Sequence, residues 1–215
     1  MHILITGAGR GIGRELALQA VARGWRVTGT VRRAGEAPDG VRGVLADMRH
    51  PGSLHTIGAQ VGALDAVINN AGVIGPRQQS TLEMDFEGFA ETLLVNTLAP
   101  LAIAQAVLPQ MAAGGRILTI SSQMAWMGYA KSDRIAYRAS KAAVNKVMQG
   151  LATDLRPRGI AVALIDPGWV RTDMGGDDAE EDPADVAGGI LDIADTLDMA
   201  RTGSFLHWSG KERDF

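Results

Sequence analysis

The chain has 215 residues, a formal net charge of −3 at pH 7 and 46% hydrophobic residues, and it contains no cysteine. This length fits a single α/β domain with a large core, and the slight negative charge gives no general attraction to nucleic acid. Without cysteine, disulfides, zinc–thiolate sites and thiol nucleophiles are excluded.

The four histidines are scattered, and none forms a His-x-x-x-His pair, so we expect no metal site. The chain enters an apolar strand directly, without the pattern of a secretory leader. The apolar stretch 93–111 is interrupted by Asn96 and two prolines, which favours a buried helix over a membrane span. We therefore expect one cytoplasmic domain over residues 1–215, with no membrane or nucleic-acid partner.

The first thirty residues predict a strand, a glycine-rich turn and a helix. Residues 2–5 are an apolar run, and residues 14–22 carry apolar side chains at helical spacing. Glycines let the backbone adopt positive φ, and the N-terminus of the following helix attracts phosphate. The spacing is G-x-x-x-G-x-G, not the commoner G-x-G-x-x-G, and the turn has no lysine, which excludes a Walker-type loop. It predicts a dinucleotide-binding turn, with a ligand-free tight turn as the alternative; its residues are Thr6, Gly7, Ala8, Gly9, Arg10, Gly11, Ile12 and Gly13.

Basic residues follow the second predicted strand, residues 25–31. In dinucleotide folds an acidic residue here binds the ribose hydroxyls of NAD, whereas a basic residue accommodates the 2′-phosphate of NADP. This chain has Arg32 and Arg33 there, with Arg10 in the glycine turn, and no carboxylate between the second strand and Glu36. The guanidinium fork suits a phosphate, so we expect NADP(H), although solvated arginines are the alternative.

Two further strands are predicted before the middle of the chain. Residues 41–46 end at Asp47, and after a helix at 53–61 a strand at 64–68 leads into the run Asn69-Asn70-Ala71-Gly72. Polar residues at the carboxyl end of a parallel strand lie where open sheets bind ligands. An Asx turn is the alternative for this run.

The middle of the chain predicts two helical segments, 84–95 and 97–111, with Asn96 between them. A buried asparagine needs partners, so it either bonds a distorted backbone or serves a site. We expect Gly114 and Gly115 to end the second segment. A strand at 116–120 then places two adjacent serines, Ser121 and Ser122, at its tip.

A long predicted helix, 136–155, carries Tyr137 and Lys141 on one face. A phenol of ordinary pKa, about 10, is a poor acid or base at neutral pH. A lysine ammonium one turn away, with a cationic nicotinamide nearby, favours the phenolate and lowers that pKa. A serine hydroxyl opposite would hold a substrate carbonyl oxygen within reach of the phenol. Surface decoration is the alternative for the Tyr–Lys pair, and strand capping for Ser122.

The last third predicts a strand at 160–165, an acidic loop at 177–182, a helix at 184–197 capped by Asp182-Pro183, and a strand at 203–208. Strands thus alternate with helices throughout the chain. This alternation predicts an α/β fold of the Rossmann type, a doubly wound parallel sheet of about seven strands with helices on both faces.

Taken together, these motifs resemble the short-chain dehydrogenases/reductases over essentially the whole chain. The glycine turn resembles the cofactor turn of that family, the run 69–72 resembles its sheet-stabilising motif, and Asp47 matches its adenine contact. Residues 167–176 and 205–212 resemble the C-factor-like subgroup, which includes proteins implicated in intercellular signalling. The positions that match the catalytic tetrad are Asn96, Ser122, Tyr137 and Lys141.

The resemblance implies that Tyr137 is the general acid or base and that Lys141 binds the nicotinamide ribose and lowers the phenol pKa. It also implies that Ser122 orients the substrate and that Asn96 holds a water in a proton relay. The interval from Ser122 to Tyr137 is longer than usual in the family, so Ser121 stays open as the serine. The expected cofactor contacts are Gly7, Arg10, Gly11, Ile12, Gly13, Arg32, Arg33, Asp47, Asn70, Ala71, Gly72, Tyr137, Lys141, Pro167, Gly168, Val170 and Thr172.

The sequence therefore predicts an NADP(H)-dependent oxidoreductase that moves hydride between the nicotinamide and a carbonyl or secondary alcohol. The alternative is an NADP-binding signalling or regulatory protein with little turnover, since a fold does not guarantee chemistry. We also expect a homodimer or homotetramer, because the family pairs its long helices across a two-fold axis. Residues expected to line an apolar pocket, or else to pack in the core, are Trp126, Met127, Tyr129, Trp169 and Met174.

Overall fold

Seven strands pair in parallel in one sheet. They are β1 His2–Ile5, β2 Arg26–Val31, β3 Val41–Leu45, β4 Leu64–Asn69, β5 Met111–Ile120, β6 Ala161–Asp166 and β7 Phe205–His207. Their order across the sheet is β3-β2-β1-β4-β5-β6-β7, so the winding direction reverses between β1 and β4. This computed structural model describes residues 1–128 and 130–215. The predicted fold class is confirmed, and the crevice at the β1/β4 reversal is where such sheets bind ligands.

Helices cover both faces of the sheet. They are α1 Gly11–Ala22, α2 Gly58–Val61, α3 Phe86–Leu93, α4 Ala99–Val107, α5 Ile135–Leu155 and α6 Pro183–Thr196. Side chains of a strand alternate between the faces, so Leu4 of β1 joins one core with α4 and α5. Its neighbours Ile3 and Ile5 join the other core with α1 and α6. The strands β1 and β6 are buried on both faces because helices cover both faces, whereas the edge strand β3 is mostly exposed.

Between α3 and α4 the helix widens instead of breaking at Asn96. Residues Leu94–Leu98 form one π-helical turn that continues directly into α4. Pro100 has no N–H to bond the carbonyl of Asn96, so the ordinary α-helical bond cannot form there, and a wider turn results. The expectation that Asn96 separates two helices is wrong, whereas its association with distorted backbone is correct.

Gly114 and Gly115 do not end a helix, which corrects the prediction. The helix has already ended at Val107 and a short 3₁₀ turn, Leu108–Gln110, follows it. Both glycines lie inside β5, where the pairing with β4 changes register and Gly114 has a φ of 85°. Proline stops the helix, and glycine permits the irregular start of the strand.

The other elements lie close to their predicted positions. The predicted helix at 53–61 is a 3₁₀ helix, Pro51–Ile57, followed by α2. The cap of α6 is confirmed, since the Asp182 carboxylate accepts a hydrogen bond of 2.8 Å from the N–H of Ala184.

One helical run, Phe86–Gln110, has the length and apolar composition that a membrane crossing requires. Half of the most apolar 18-residue stretch of this run is buried inside the protein, as in a core helix of a globular domain.

Candidate functional site

The glycine turn between β1 and α1 leaves the start of the helix open. Gly7 and Gly11 have φ values of 70° and 53°, which favour glycine. A Cβ on Gly13 would overlap the carbonyl oxygen of Gly7 and the side-chain amide of Asn70. Arg10 caps α1 without a side-chain hydrogen bond. The N–H groups at the start of α1 have no helical partner, and no side chain covers the backbone of the glycine turn beside them. Together they fit a dinucleotide phosphate.

The loop after β4 is tied to this turn by side-chain hydrogen bonds. The Thr6 hydroxyl accepts from the N–H groups of Asn70 and Ala71, both at 3.0 Å. The Asn70 amide donates to the carbonyls of Thr6 and Gly7 at 2.9 and 3.4 Å. The structure thus brings predicted contacts from both sides of the β1/β4 crevice together, and it assigns the Asn70 side chain to holding the turn.

A groove of about 410 Å³ runs beside the turn. Its lining includes Gly72, Val73 and Thr92, and Arg10 and Asp173 stand at its edge. The guanidinium of Arg10 lies 3.1 Å from the Asp173 carboxylate, and both side chains are mostly exposed. Exposed pairs of this kind contribute little to stability, so the contact can open for a ligand at small cost.

The residues expected to select the cofactor differ in their surroundings. Arg32 is exposed, and within the described part of the chain it forms no ion pair. Arg33 instead lies 2.7 Å from Glu36, which lowers the pKa of that carboxyl group. Asp47 pairs with Arg49 at 2.5 Å, and this hydrogen-bonded pairing lowers its pKa to about 2. Arg32 is therefore the arginine after β2 that has no carboxylate partner within the described residues.

Tyr137, Ser122 and Lys141 converge at the carboxyl end of β5. The Tyr137 phenol, 9% exposed, shares a hydrogen bond with the Ser122 hydroxyl. The Lys141 ammonium lies 5.6 Å from the centre of the Tyr137 ring and donates to the carbonyl of Ile120 at 2.7 Å. The Ser121 hydroxyl is fully buried and donates to Asn145. Of the two serines, the structure places Ser122 against the phenol.

Burial dominates the acid–base properties of this group. Burial, with a smaller contribution from the charge of Asp166, raises the pKa of Tyr137 to about 12 against the lowering effect of the Ser122 hydrogen bond. Burial also lowers the pKa of Lys141 to about 8. The spacing of Tyr137 and Lys141 predicts that Lys141 lowers the phenol pKa. In the protein alone the cost of burying the phenolate is larger.

Asn96 connects the π-helical turn to α5. Its oxygen accepts from the N–H of Val73 at 2.9 Å, and its amide donates to the Val73 carbonyl and to the Ser140 hydroxyl at 2.8 and 3.0 Å. Ser140 in turn donates to the carbonyl of Tyr137 at 2.7 Å. The buried asparagine thus has protein partners, and it links the groove loop to the helix that carries Tyr137.

The segment after β6 lies over the glycine turn. Gly168 has a φ of 72°, and Thr172 is close enough that a Cβ on Gly11 would lie 3.5 Å from its methyl group. Val170 is buried at a bridge with Glu181. The Arg171 guanidinium donates to the carbonyls of Ala179 and Glu180 and to the Asp182 carboxylate. The acidic loop is therefore braced by Arg171 beside the site.

The expected apolar pocket is open. Met127 is 81% exposed, and Trp126, Trp169 and Met174 are each between 39 and 51% exposed. The Trp169 indole donates to the carbonyl of Gly175 at 2.9 Å. Of these side chains Met174 lines the groove, and Tyr129 lies outside the described residues.

Sequence reasoning missed two buried residues that hold this site together. The Gln79 amide donates to the carbonyls of Ile74 and Pro76 at 3.1 and 2.7 Å, and its oxygen accepts from the N–H of Tyr137 at 3.2 Å. Gln79 has no sequence signal. Asp166 accepts from the N–H groups of two loops, and its position at the end of a strand was the available signal.

The sequence of this chain is similar to those of known proteins from one family. The sequence profile described as short chain dehydrogenase matches residues 1–183. The C-signal protein of Myxococcus xanthus is 39% identical over 155 residues, covering 70% of this chain and 92% of that protein. The 3-oxoacyl-acyl-carrier-protein reductase FabG of Salmonella typhimurium is 32% identical over 235 residues, covering 96% and 95%.

A solved structure has the same architecture over the whole chain. The NADPH-bound carbonyl reductase from chicken fatty liver superposes with a TM-score of 0.89 at 27% identity, covering 100% of this chain and 98% of that one. This chain belongs to the short-chain dehydrogenase family of oxidoreductases, with C-signal among its relatives.

Proposed function

We propose that the protein is an NADP(H)-dependent oxidoreductase that interconverts a carbonyl and a secondary alcohol. The observation that carries the proposal is the buried Tyr137 phenol, hydrogen-bonded to Ser122 and next to Lys141. These groups lie at the carboxyl end of the same sheet that carries the open glycine turn. One similar protein is named a 3-oxoacyl-acyl-carrier-protein reductase and another a carbonyl reductase, and these names support carbonyl reduction as the reaction class.

The residues divide the chemistry between them. When bound, the nicotinamide supplies or accepts the hydride. Ser122 donates a hydrogen bond to the substrate oxygen, and Tyr137 gives that oxygen a proton during reduction or removes one during oxidation. Lys141, in its protonated form, stabilises the phenolate. Asn96 and Ser140 hold α5 in place against the π-helical turn. Trp126, Met127, Trp169 and Met174 form an apolar rim for the rest of the substrate.

The remaining expectations for the chain are also proposals. The glycine turn, the loop after β4 and the segment after β6 hold the cofactor, with Asp47 at its adenine and Pro167, Gly168 and Thr172 at its nicotinamide. The chain works as one cytoplasmic domain that assembles as a homodimer or homotetramer. Leu98, the last residue of the π-helical turn before α4, is 46% exposed and provides apolar surface for that assembly.

A second candidate function is a signalling or regulatory protein that binds NADP without meaningful turnover. The similarity to C-signal supports it, since that protein covers most of this chain. The two candidates share a cofactor site and differ in whether Tyr137 transfers a proton.

The direct test is titration calorimetry of NADPH and NADH, followed by nicotinamide absorbance with a panel of aldehydes, ketones and diketones. We expect tight NADPH binding and consumption of NADPH with at least one carbonyl of the panel. Binding without turnover on every panel member would favour the second candidate. Failure to bind either nucleotide would overturn the cofactor site.

Charge reversal of the two arginines after β2 tests the choice of cofactor. The double variant Arg32→Glu, Arg33→Glu is expected to weaken NADPH by about 100-fold, because charge-assisted bonds to a phosphate contribute on the order of 1.5–3 kcal/mol each. NADH, which lacks that phosphate, is expected to change by less than about threefold. Calorimetry with both nucleotides measures the difference.

The matched control is Arg42→Glu. Arg42 is also exposed, but it lies within β3 opposite Thr28, away from the carboxyl end of the sheet. It is expected to leave both affinities unchanged. Equal losses for NADPH and NADH in the double variant would reject the phosphate contact.

A further inference from the structure

Asp166, the last residue of β6, ties together two loops of the site. Its carboxylate is 1% exposed. One oxygen, Oδ1, accepts from the N–H of Gln123 at 3.0 Å and from the N–H of Gly168 at 3.2 Å. Gln123 directly follows Ser122, and Gly168 belongs to the turn expected beside the nicotinamide. One carboxylate oxygen therefore fixes the position of both loops.

The other carboxylate oxygen faces an arginine from the far end of the chain. Oδ2 of Asp166 lies 3.1 Å from Nε of Arg213. The contact is an ion pair without hydrogen-bond alignment, because neither atom has a hydrogen-bond partner within residues 1–128 and 130–215. An isolated buried carboxylate is costly, and the guanidinium of Arg213 places an opposite charge beside it.

Backbone hydrogen bonds hold Arg213 beside Asp166. β7 pairs with β6 so that His207 lies opposite Asp166. The chain then turns back, with the N–H of His207 donating to the carbonyl of Lys211 and the N–H of Arg213 donating to that of Phe205, at 2.7 and 2.8 Å. Arg201 holds the same turn through the Gly210 carbonyl at 2.7 Å. Arg213 is thus held in place by several contacts outside the site.

We infer that Arg213 is a positioning residue for the reaction, acting through Asp166 on the Ser122 loop, the Gly168 turn and the proton held by Tyr137. This inference rests on the proposed function, since it assigns Arg213 to the site in which Tyr137 exchanges that proton. It gives the segment after β7 a part in catalysis without contact with the substrate.

The charges around the phenol fix the direction of the effect. Asp166 raises the pKa of Tyr137, whereas Arg134 and the Ser122 hydrogen bond lower it, and the ammonium of Lys141 lies beside the ring. Arg213 forms the ion pair with Asp166, and His207 lies opposite Asp166 in β7, where the charges of Arg213, Asp166, Glu181 and Lys211 act on its imidazole. Without Arg213 the charge of Asp166 is uncompensated, so the phenolate becomes harder to form. Without the charge of Asp166 it becomes easier to form.

Kinetics of alcohol oxidation with NADP⁺ provide the first test. Arg213→Ala is expected to lower kcat at pH 8 by about three- to tenfold, to leave KM for NADP⁺ within about twofold, and to move the acidic limb of the kcat profile to higher pH. Asp166→Asn is expected to move that limb to lower pH, since asparagine keeps the oxygen that accepts the two N–H bonds but has no charge. Adding Arg213→Ala to Asp166→Asn is expected to cause no further movement.

Lys211→Ala is the matched control, because it removes one exposed positive charge from the same segment and leaves the ion pair intact. It is expected to behave like the unaltered protein. The inference is overturned if Arg213→Ala moves the limb no more than Lys211→Ala does, or if its effect persists in the Asp166→Asn background. Asp166→Asn alone also overturns it if the limb does not move, whether or not the Arg213 variant folds.

A second readout needs no turnover. The chain has two tyrosines, so NMR of the ring carbons of labelled tyrosine resolves them, with Tyr137→Phe assigning the signal. At a fixed pH near 10.5 the ionised fraction of Tyr137 is expected to be largest in Asp166→Asn and smallest in Arg213→Ala. An inverted order overturns the inference even where turnover is absent. If turnover survives in Tyr137→Phe, the proposed function fails instead, and the NMR order still decides the electrostatic coupling.

Discussion

Replacing Tyr137 by phenylalanine is expected to lower kcat by at least about 1000-fold while NADPH affinity stays within about threefold. The substitution removes only the hydroxyl that shares a hydrogen bond with Ser122, and the ring stays available for packing in a buried position. Steady-state rates with a substrate from the carbonyl panel and calorimetry of NADPH on the same sample measure the two quantities. This pair of results separates proton transfer from cofactor binding.

The same variant decides between the two candidate functions. Tyr137 has a raised pKa of about 12, so the protein alone holds the phenol protonated at neutral pH. An enzyme needs that proton, whereas a protein that only binds NADP does not. A biological activity of the protein that is unchanged in Tyr137→Phe would support the signalling candidate. A kcat within tenfold of the unaltered protein would reject Tyr137 as the general acid or base.

The features that the sequence predicted depend on local patterns. Buried parallel strands are short apolar runs, so β1 was found with its exact bounds. The residues of the glycine turn are close together in the sequence, and Tyr137 and Lys141 are only four residues apart. Each signal comes from backbone conformation or from helical spacing, and both can be recognised without knowing which elements pack together.

The features that it missed depend on contacts between distant parts of the chain. Gln79 meets Tyr137 across 58 residues, and Asp166 meets Gln123 across 43. No periodicity links such pairs. The direction of the Tyr137 pKa was missed for a related reason, since burial comes from packing that the spacing of Tyr137 and Lys141 does not reveal. The start of β5 was missed because a glycine pair ends helices and also bends strands.

The open start of α1 depends on the missing side chain at residue 13. Gly13→Ala is expected to destabilise the protein by about 2–4 kcal/mol, because the added Cβ overlaps the Gly7 carbonyl and the Asn70 amide. The backbone of the turn has to move to relieve the overlap. NADPH affinity is therefore expected to fall by at least about tenfold. Urea unfolding and calorimetry measure the two effects.

Gly150→Ala is the matched control for this prediction, since Gly150 is also a helical glycine but is exposed in α5 with open space around its Cβ position. Alanine there is expected to be neutral or to stabilise the protein by up to about 1 kcal/mol, because it lowers the entropy lost on folding. NADPH affinity is expected to stay unchanged. If Gly13→Ala behaved like Gly150→Ala in both measurements, the close approach of α1 to the turn would not be what holds the cofactor, and the dinucleotide site would have to lie elsewhere.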